Sequence, residues 1–165
     1  GELLGDHGLL FKGPFHYEGL IRIPLIVYWK GRLQRKTVEA LAQEIDIMPT
    51  LLEMCGLPVP AGVQGRALVP LLEGKTDKLY DHVLVENDHA DWKLKAYTLR
   101  SKKWKYTYYS SEEFGELFDM ENDPDEFVNL WNSSKHAGVK AEYQKKLLDT
   151  LLETSDTLPL RVAKY

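Results

Sequence analysis

Apolar and polar positions follow two different rhythms along this chain. Residues 1–20 are polar and rich in glycine, and then Ile21-Arg22-Ile23-Pro24-Leu25-Ile26-Val27-Tyr28-Trp29 is almost continuously apolar. A run of that kind suits a strand in a sheet covered on both faces, and it predicts a strand over 21–29. Lys30-Gly31-Arg32 reads as a turn, and the alternation of Val38, Ala40 and Ala42 predicts a second strand over 37–44. The period then changes. Ile47, Met48, Leu51, Leu52 and Cys55 recur at helical spacing, which predicts a helix with these residues on its buried face. Asp46 stands where an N-cap would, Pro49 is tolerated in the first turn and Gly56 marks the stop. Residues 57–65 hold two prolines and two glycines and read as a loop, followed by a short helix over 66–73 ended by Gly74.

The second half has shorter periods. Val83-Leu84-Val85-Glu86 reads as a strand, and residues 96–100 and 103–109 as a hairpin around Ser101-Lys102. Trp104, Tyr106 and Tyr108 alternate with Lys105 and Thr107, which predicts one buried face of packed aromatics rather than a stacking surface for a ligand. Residues 116–119 make a further short strand. Asn122-Asp123-Pro124 is a turn that introduces a helix near Asp125-Glu126, and Tyr143, Leu147, Leu148, Leu151 and Leu152 predict an amphipathic helix over 139–153. The fold class is therefore α/β: a sheet region over residues 1–78, then a small antiparallel sheet with a C-terminal helix over 79–165.

Composition narrows the function classes. A chain of 165 residues is enough for one domain of about 150, and 44% hydrophobic content excludes a disordered segment. The net charge of −4, without a basic stripe or polybasic run, argues against nucleic acid and against a charged membrane surface. The apolar runs are too short to span a membrane. The single cysteine, Cys55, allows no internal disulfide and reads as a small hydrophobe packed at a helix end. The opening Gly-Glu-Leu-Leu-Gly-Asp is neither a signal peptide nor a start at Met, so the chain reads as part of a longer protein whose compartment stays open.

Candidate chemistry gathers in the first loop. Lys12 is a compact cation flanked by Gly8 and Gly13, which leave room for a ligand; a solvated surface lysine fits the same residues. His16 has a side chain suited to proton transfer near neutrality, or to packing beside Phe15 and Tyr17. Asp6 and His7 fit a hydrogen-bonded turn, and Glu18 and Arg22 fit structural contacts under the loop. Asp-His recurs at Asp81-His82 and Asp88-His89 without a consistent ligand spacing, so these pairs read as surface loops and no metal ligand is assigned.

The motifs Gly1-Glu2-Leu3-Leu4-Gly5-Asp6-His7-Gly8, Lys12-Gly13, Tyr17-Glu18-Gly19 and Arg22-Ile23-Pro24-Leu25-Ile26 resemble, in order, those of the sulfatases of the alkaline phosphatase superfamily. The resemblance continues through Asp46-Ile47-Met48-Pro49-Thr50, Gly62-Val63-Gln64-Gly65-Arg66 and Glu116-Leu117-Phe118-Asp119-Met120-Glu121-Asn122-Asp123-Pro124, so it covers nearly the whole chain as the C-terminal portion of such an enzyme. It implies hydrolysis of a small-molecule or sugar sulfate ester by a formylglycine nucleophile beside Ca2+ or Mg2+, both held in a missing N-terminal part. Cys55 does not stand in a formylglycine motif, and the family's metal-binding pair is absent, with Glu2 at most beside it. Carried over, Lys12 contacts the sulfate and stabilises the leaving oxygen, His16 is a second catalytic candidate, and His89 or Trp92, in the polar stretch 86–92, reads the organic part of the substrate. The chain alone is then expected to be inactive. A phosphonate monoester or phosphodiester hydrolase of the same superfamily shares these features, and a non-catalytic glycan- or partner-binding module is the reading from a different class.

Overall fold

The computed structural model describes residues 1–89 and 94–155, with the side chain of His89 left out. In chain order the elements are α1 (Glu18–Ile21), α2 (Ile47–Met54), α3 (Val69–Leu72), β1 (His82–His89), β2 (Leu94–Ser101), β3 (Trp104–Tyr109), β4 (Gly115–Asp119) and α4 (Ala137–Thr154), with short 3-10 turns at Asp6–Gly8, Glu44–Asp46 and Ser134–His136. They fall into two compact units, Gly1–Val27 with His82–Leu148, and Tyr28–Asp81 with Asp149–Tyr165.

The first unit is built on an antiparallel meander in the order β1-β2-β3-β4. The register pairs Thr98 with Thr107, Leu99 with Tyr106 and Arg100 with Lys105, and then Tyr106 with Leu117 and Thr107 with Glu116. Side chains alternate across a strand, so two faces follow from these pairs. One carries Leu99, Tyr106 and Leu117, all fully buried. Against it stand Trp131 and Tyr143, their rings 5.5 and 6.4 Å from that of Tyr106, and the Tyr143 hydroxyl lies 2.6 Å from that of Ser101. The small antiparallel sheet with its C-terminal helix is thus as the apolar pattern predicts. Gly115 makes room for Trp131: a Cβ there would lie 2.4 Å from the indole ring.

The opposite face carries Thr98, Arg100, Lys105, Thr107, Tyr109, Glu116 and Phe118, and here the alternation misleads. Lys105 and Thr107 are as fully buried as Tyr106, while Tyr108 is exposed. The reason is that the N-terminal segment covers this face: Phe15 packs edge-on against Tyr109, and Tyr17 tilts against Phe118. A sheet covered on both sides has no solvent face for its polar residues.

The second unit is organised by Asp46, which is wholly buried. Its carboxylate does not cap α2. It accepts the backbone N–H of Gln43 and of Arg66, each at 2.8 Å, and the Tyr80 hydroxyl at 2.5 Å. Thr50 extends the link, donating its hydroxyl to the Asp46 carbonyl and accepting the Leu68 N–H. Burial and the bond to Asp46 push the Tyr80 phenol up to about 12. Gly65 has to be glycine at this crossing, because a Cβ would lie 2.0 Å from the Ile45 carbonyl oxygen.

Several expected elements differ. Residues 22–29 and 37–43 are not strands, and among the described residues no strand pairs with either. A strand needs a neighbour for its backbone groups, and apolar sequence does not supply one. Ile26 and Tyr28 stand more than four-fifths exposed. The predicted buried face of α2 is a surface groove lined by Ile47, Met48, Leu51, Leu52 and Cys55, with Cys55 itself exposed. No helix starts at Asp125-Glu126: the Asp123 carboxylate accepts the N–H groups of Phe127 and Val128, closing a turn instead. The two later Asp-His pairs flank and end β1 rather than sitting in loops, and Asp88 pairs with Lys95 across β1 and β2 at 2.9 Å.

Candidate active site

The loop of residues 1–17 is shaped by left-handed backbone. Leu4, Gly5, His7, Gly8 and Gly13 all have positive φ, between 50° and 103°. Glycine adopts such angles freely, but Leu and His do so at a cost, which persists only where surrounding contacts hold it. For His7 those contacts are visible. Its ring stacks on Tyr17 at 3.7 Å between centroids, nearly parallel, and its backbone N–H reaches the Asp6 carboxylate at 3.1 Å. The structural turn expected for Asp6-His7 is what the structure shows. The His7 Nε2 is buried without a hydrogen-bond partner.

Lys12 is exposed at the turn of this loop, and among the described residues its amine makes no hydrogen bond or ion pair. From Gly13 onward the chain dives inward, with Pro14 fully buried. His16 follows at 3% exposure, its Nδ1 2.8 Å from the Thr98 hydroxyl, which in turn lies 2.8 Å from Thr107. Burial, reinforced by the nearby Lys105 charge, lowers the His16 imidazole to about 4, so it is neutral near pH 7. Lys12 and His16 therefore lie on one loop but in opposite environments: one amine free at the surface, one imidazole fixed in the core.

Beneath the loop lies a polar cluster that the alternating pattern did not reveal. Lys105 Nζ donates to the His16 carbonyl at 2.6 Å and pairs with the buried Glu126, with Glu18 a further 3.9 Å contact. Glu126 accepts the Glu18 N–H at 2.7 Å, and Arg100 Nε donates to the Glu18 carboxylate at 2.9 Å. Burial pushes Lys105 down to about 7 against the opposing pull of Glu18 and Glu116. Glu116 accepts the Tyr109 hydroxyl at 2.8 Å, and burial holds its carboxyl above the usual range despite that bond. Glu18 thus makes the structural contacts expected of it, whereas Arg22 is exposed and, among the described residues, without such a partner. The one available signal was Lys105 itself, a charge between two aromatics in a strand; only knowledge of what covers that face turns it into a site residue.

His89 ends β1, with its side chain outside the described part of the structure, and Trp92 lies outside the described residues. Among the described residues no group of three or more His, Cys, Asp or Glu is placed to hold a metal ion. The Glu2 Oε1 is buried without a partner, but one carboxylate oxygen is not a cation site. The described residues do not by themselves accommodate the divalent metal that sulfatases generally use.

Comparison with known proteins shows the family of the chain. Residues 5–153 match the family described as N-sulphoglucosamine sulphohydrolase, C-terminal. An arylsulfatase of Clostridium perfringens is 31% identical over 93% of this chain and 32% of its own length. A structure solved in complex with its substrate D-glucosamine-2-N,6-O-disulfate superposes at a TM-score of 0.83, with 27% identity, over 97% of this chain and 34% of that one. A phosphonate monoester hydrolase from Silicibacter pomeroyi superposes at 0.81 with 25% identity, over 94% and 34%. The chain spans about a third of the length of the curated relatives it matches.

Proposed function

Because this chain belongs to the sulfatase family, as the counterpart of its C-terminal portion, we propose that the protein hydrolyses sulfate esters with Lys12 as the cation at the reacting oxygens. The observation that carries this is the state of Lys12. Its amine is exposed and unpaired among the described residues, on a loop held in left-handed backbone and fastened to a sheet. When the S–O bond of the ester breaks, negative charge grows on the departing oxygen. A pre-positioned ammonium stabilises that charge without the reorganisation that water would need. Glycines at positions 8 and 13 let the ester approach the backbone. His16 is better placed to anchor the loop than to deliver a proton, since it is neutral, buried and bonded to Thr98. We assign substrate reading to His89 and Trp92, and to the protein a small-molecule or sugar sulfate as substrate. The solved relative bound to a glucosamine disulfate supports the sugar class.

The nucleophile, a formylglycine, and a calcium or magnesium ion come in this reading from an N-terminal part of the same protein, with metal ligands mostly outside this chain. No step is derived through either. The exposed Ile23, Leu25, Ile26 and Tyr28 fit a strand that gains its neighbours from that part. A second reading, hydrolysis of phosphonate monoesters, rests on the superposition with the Silicibacter enzyme.

The test uses the complete protein with an aryl sulfate, an aryl phosphodiester and an aryl phosphonate monoester, with and without Lys12→Ala. A strong preference for the sulfate, and a loss of about two orders of magnitude in kcat/KM for the variant, is expected. Preference for a phosphorus ester replaces the named reaction. A silent Lys12→Ala removes Lys12 from it, and no turnover of any ester favours a binding module.

A further inference from the structure

Both ends of Tyr17 are gripped. The carbonyl before it, on His16, accepts from Lys105, and the N–H after it, on Glu18, donates to Glu126. Lys105 and Glu126 pair with each other, and neither is more than 3% exposed. Glu126 reaches this position from a left-handed backbone conformation, φ 60°, which a glutamate adopts only when surrounding contacts enforce it. Those contacts are the Asp123 carboxylate bonds to the next two N–H groups. Between this clamp and Lys12 stand only Gly13, Pro14 and Phe15. Pro14 is fully buried and its ring fixes φ, so little slack is left. For stability alone a buried ion pair is a poor choice, because apolar residues of the same volume often do as well or better. The pair's contacts go instead to the backbone of the one segment that carries Lys12.

We propose that Lys105 is a positioning residue of the reaction, acting with Glu126 to fix the His16–Glu18 backbone and thereby the place of the Lys12 amine at a bound ester. This rests on the reading of Lys12 given above. It makes Lys105 act only through Lys12, and that is measurable. In the complete protein, kcat and KM for the aryl sulfate are compared among wild type, Lys105→Met, Lys12→Ala and the double variant, well below their melting temperatures. Lys105→Met is expected to lower kcat about tenfold or more with KM changed less than about threefold, and to cost almost nothing further in the Lys12→Ala background, as coupled residues do. An equal loss in both backgrounds, or a folded Lys105→Met with wild-type kcat, overturns the proposal.

Should Lys105→Met fail to fold, Lys105→Met/Glu126→Gln removes both charges and keeps an acceptor for the Glu18 N–H. Recovery of the melting temperature without kcat then supports positioning, and recovery of both overturns it. Glu126→Gln alone, compared in the two Lys12 backgrounds, decides the question in the same way if neither Lys105 variant folds. If the wild-type protein turns over a phosphonate monoester instead of the sulfate, the sulfatase reading fails while the same cycle on that ester still tests Lys105.

Discussion

At the scale of single residues, burial decides what each candidate can do. His16 and Lys12 are four positions apart, yet one is locked to Thr98 and the other is free of partners among the described residues. The His16 environment has a thermodynamic signature. Its pKa is about 4 in the folded protein and near 6.5 when unfolded. Between those values the unfolded chain binds the extra proton, so stability falls as pH drops from about 6.5 to 4 and levels off below. Replacing His16 by Asn removes that proton. Melting temperatures of wild type and His16→Asn, measured from pH 7 to 4, are expected to converge as pH falls. Parallel curves would show that the imidazole does not titrate as its surroundings require. The comparison must be between variants, because the raised Glu116 carboxyl gives a slope of opposite sign over part of the same range. Lys105 shows the limit of reading residue types along a strand. A lysine alternating with aromatics marks a solvent face in a two-layer sheet, and this sheet is covered on both sides.

Among elements, the pattern of apolar positions works where an element supplies its own partners. The β2–β3 hairpin, β4 and α4 lie close to where period and turn residues put them, since hairpin partners are neighbours in sequence. It fails for 21–29 and 37–44, whose apolar or alternating residues have no strand beside them among the described residues. Asp46 illustrates a third case. Its spacing before a helix suggests a cap, but its oxygens go to Gln43, Arg66 and Tyr80 and tie α2 to two segments distant in sequence. Asp46→Ala removes a buried carboxylate that accepts three part-buried hydrogen bonds. It is expected to cost about 3 kcal/mol or more in urea unfolding, well beyond the roughly 1 kcal/mol of a lost N-cap. A cost near 1 kcal/mol would return Asp46 to the role of a simple cap.

For the whole molecule, the chain belongs to the sulfatase family and spans about a third of the length of the curated relatives it matches. The isolated 165-residue chain is accordingly expected to hydrolyse no aryl sulfate above its own Lys12→Ala control. Measurable turnover that disappears with Lys12→Ala would mean that the chain carries its own nucleophile. What the amino-acid order alone determined is the family, the lysine loop and the small antiparallel sheet with its helix, because motif order, glycine placement and local period are properties of neighbouring residues. Tertiary structure alone decided that His16 is buried and neutral, that Lys105 and Glu126 grip the loop from beneath, and that Asp46 is a junction rather than a cap. Each of these depends on segments 20 to 108 positions apart meeting in space, where desolvation and unpaired donors set the energies, and no local pattern encodes which segment will cover a given face.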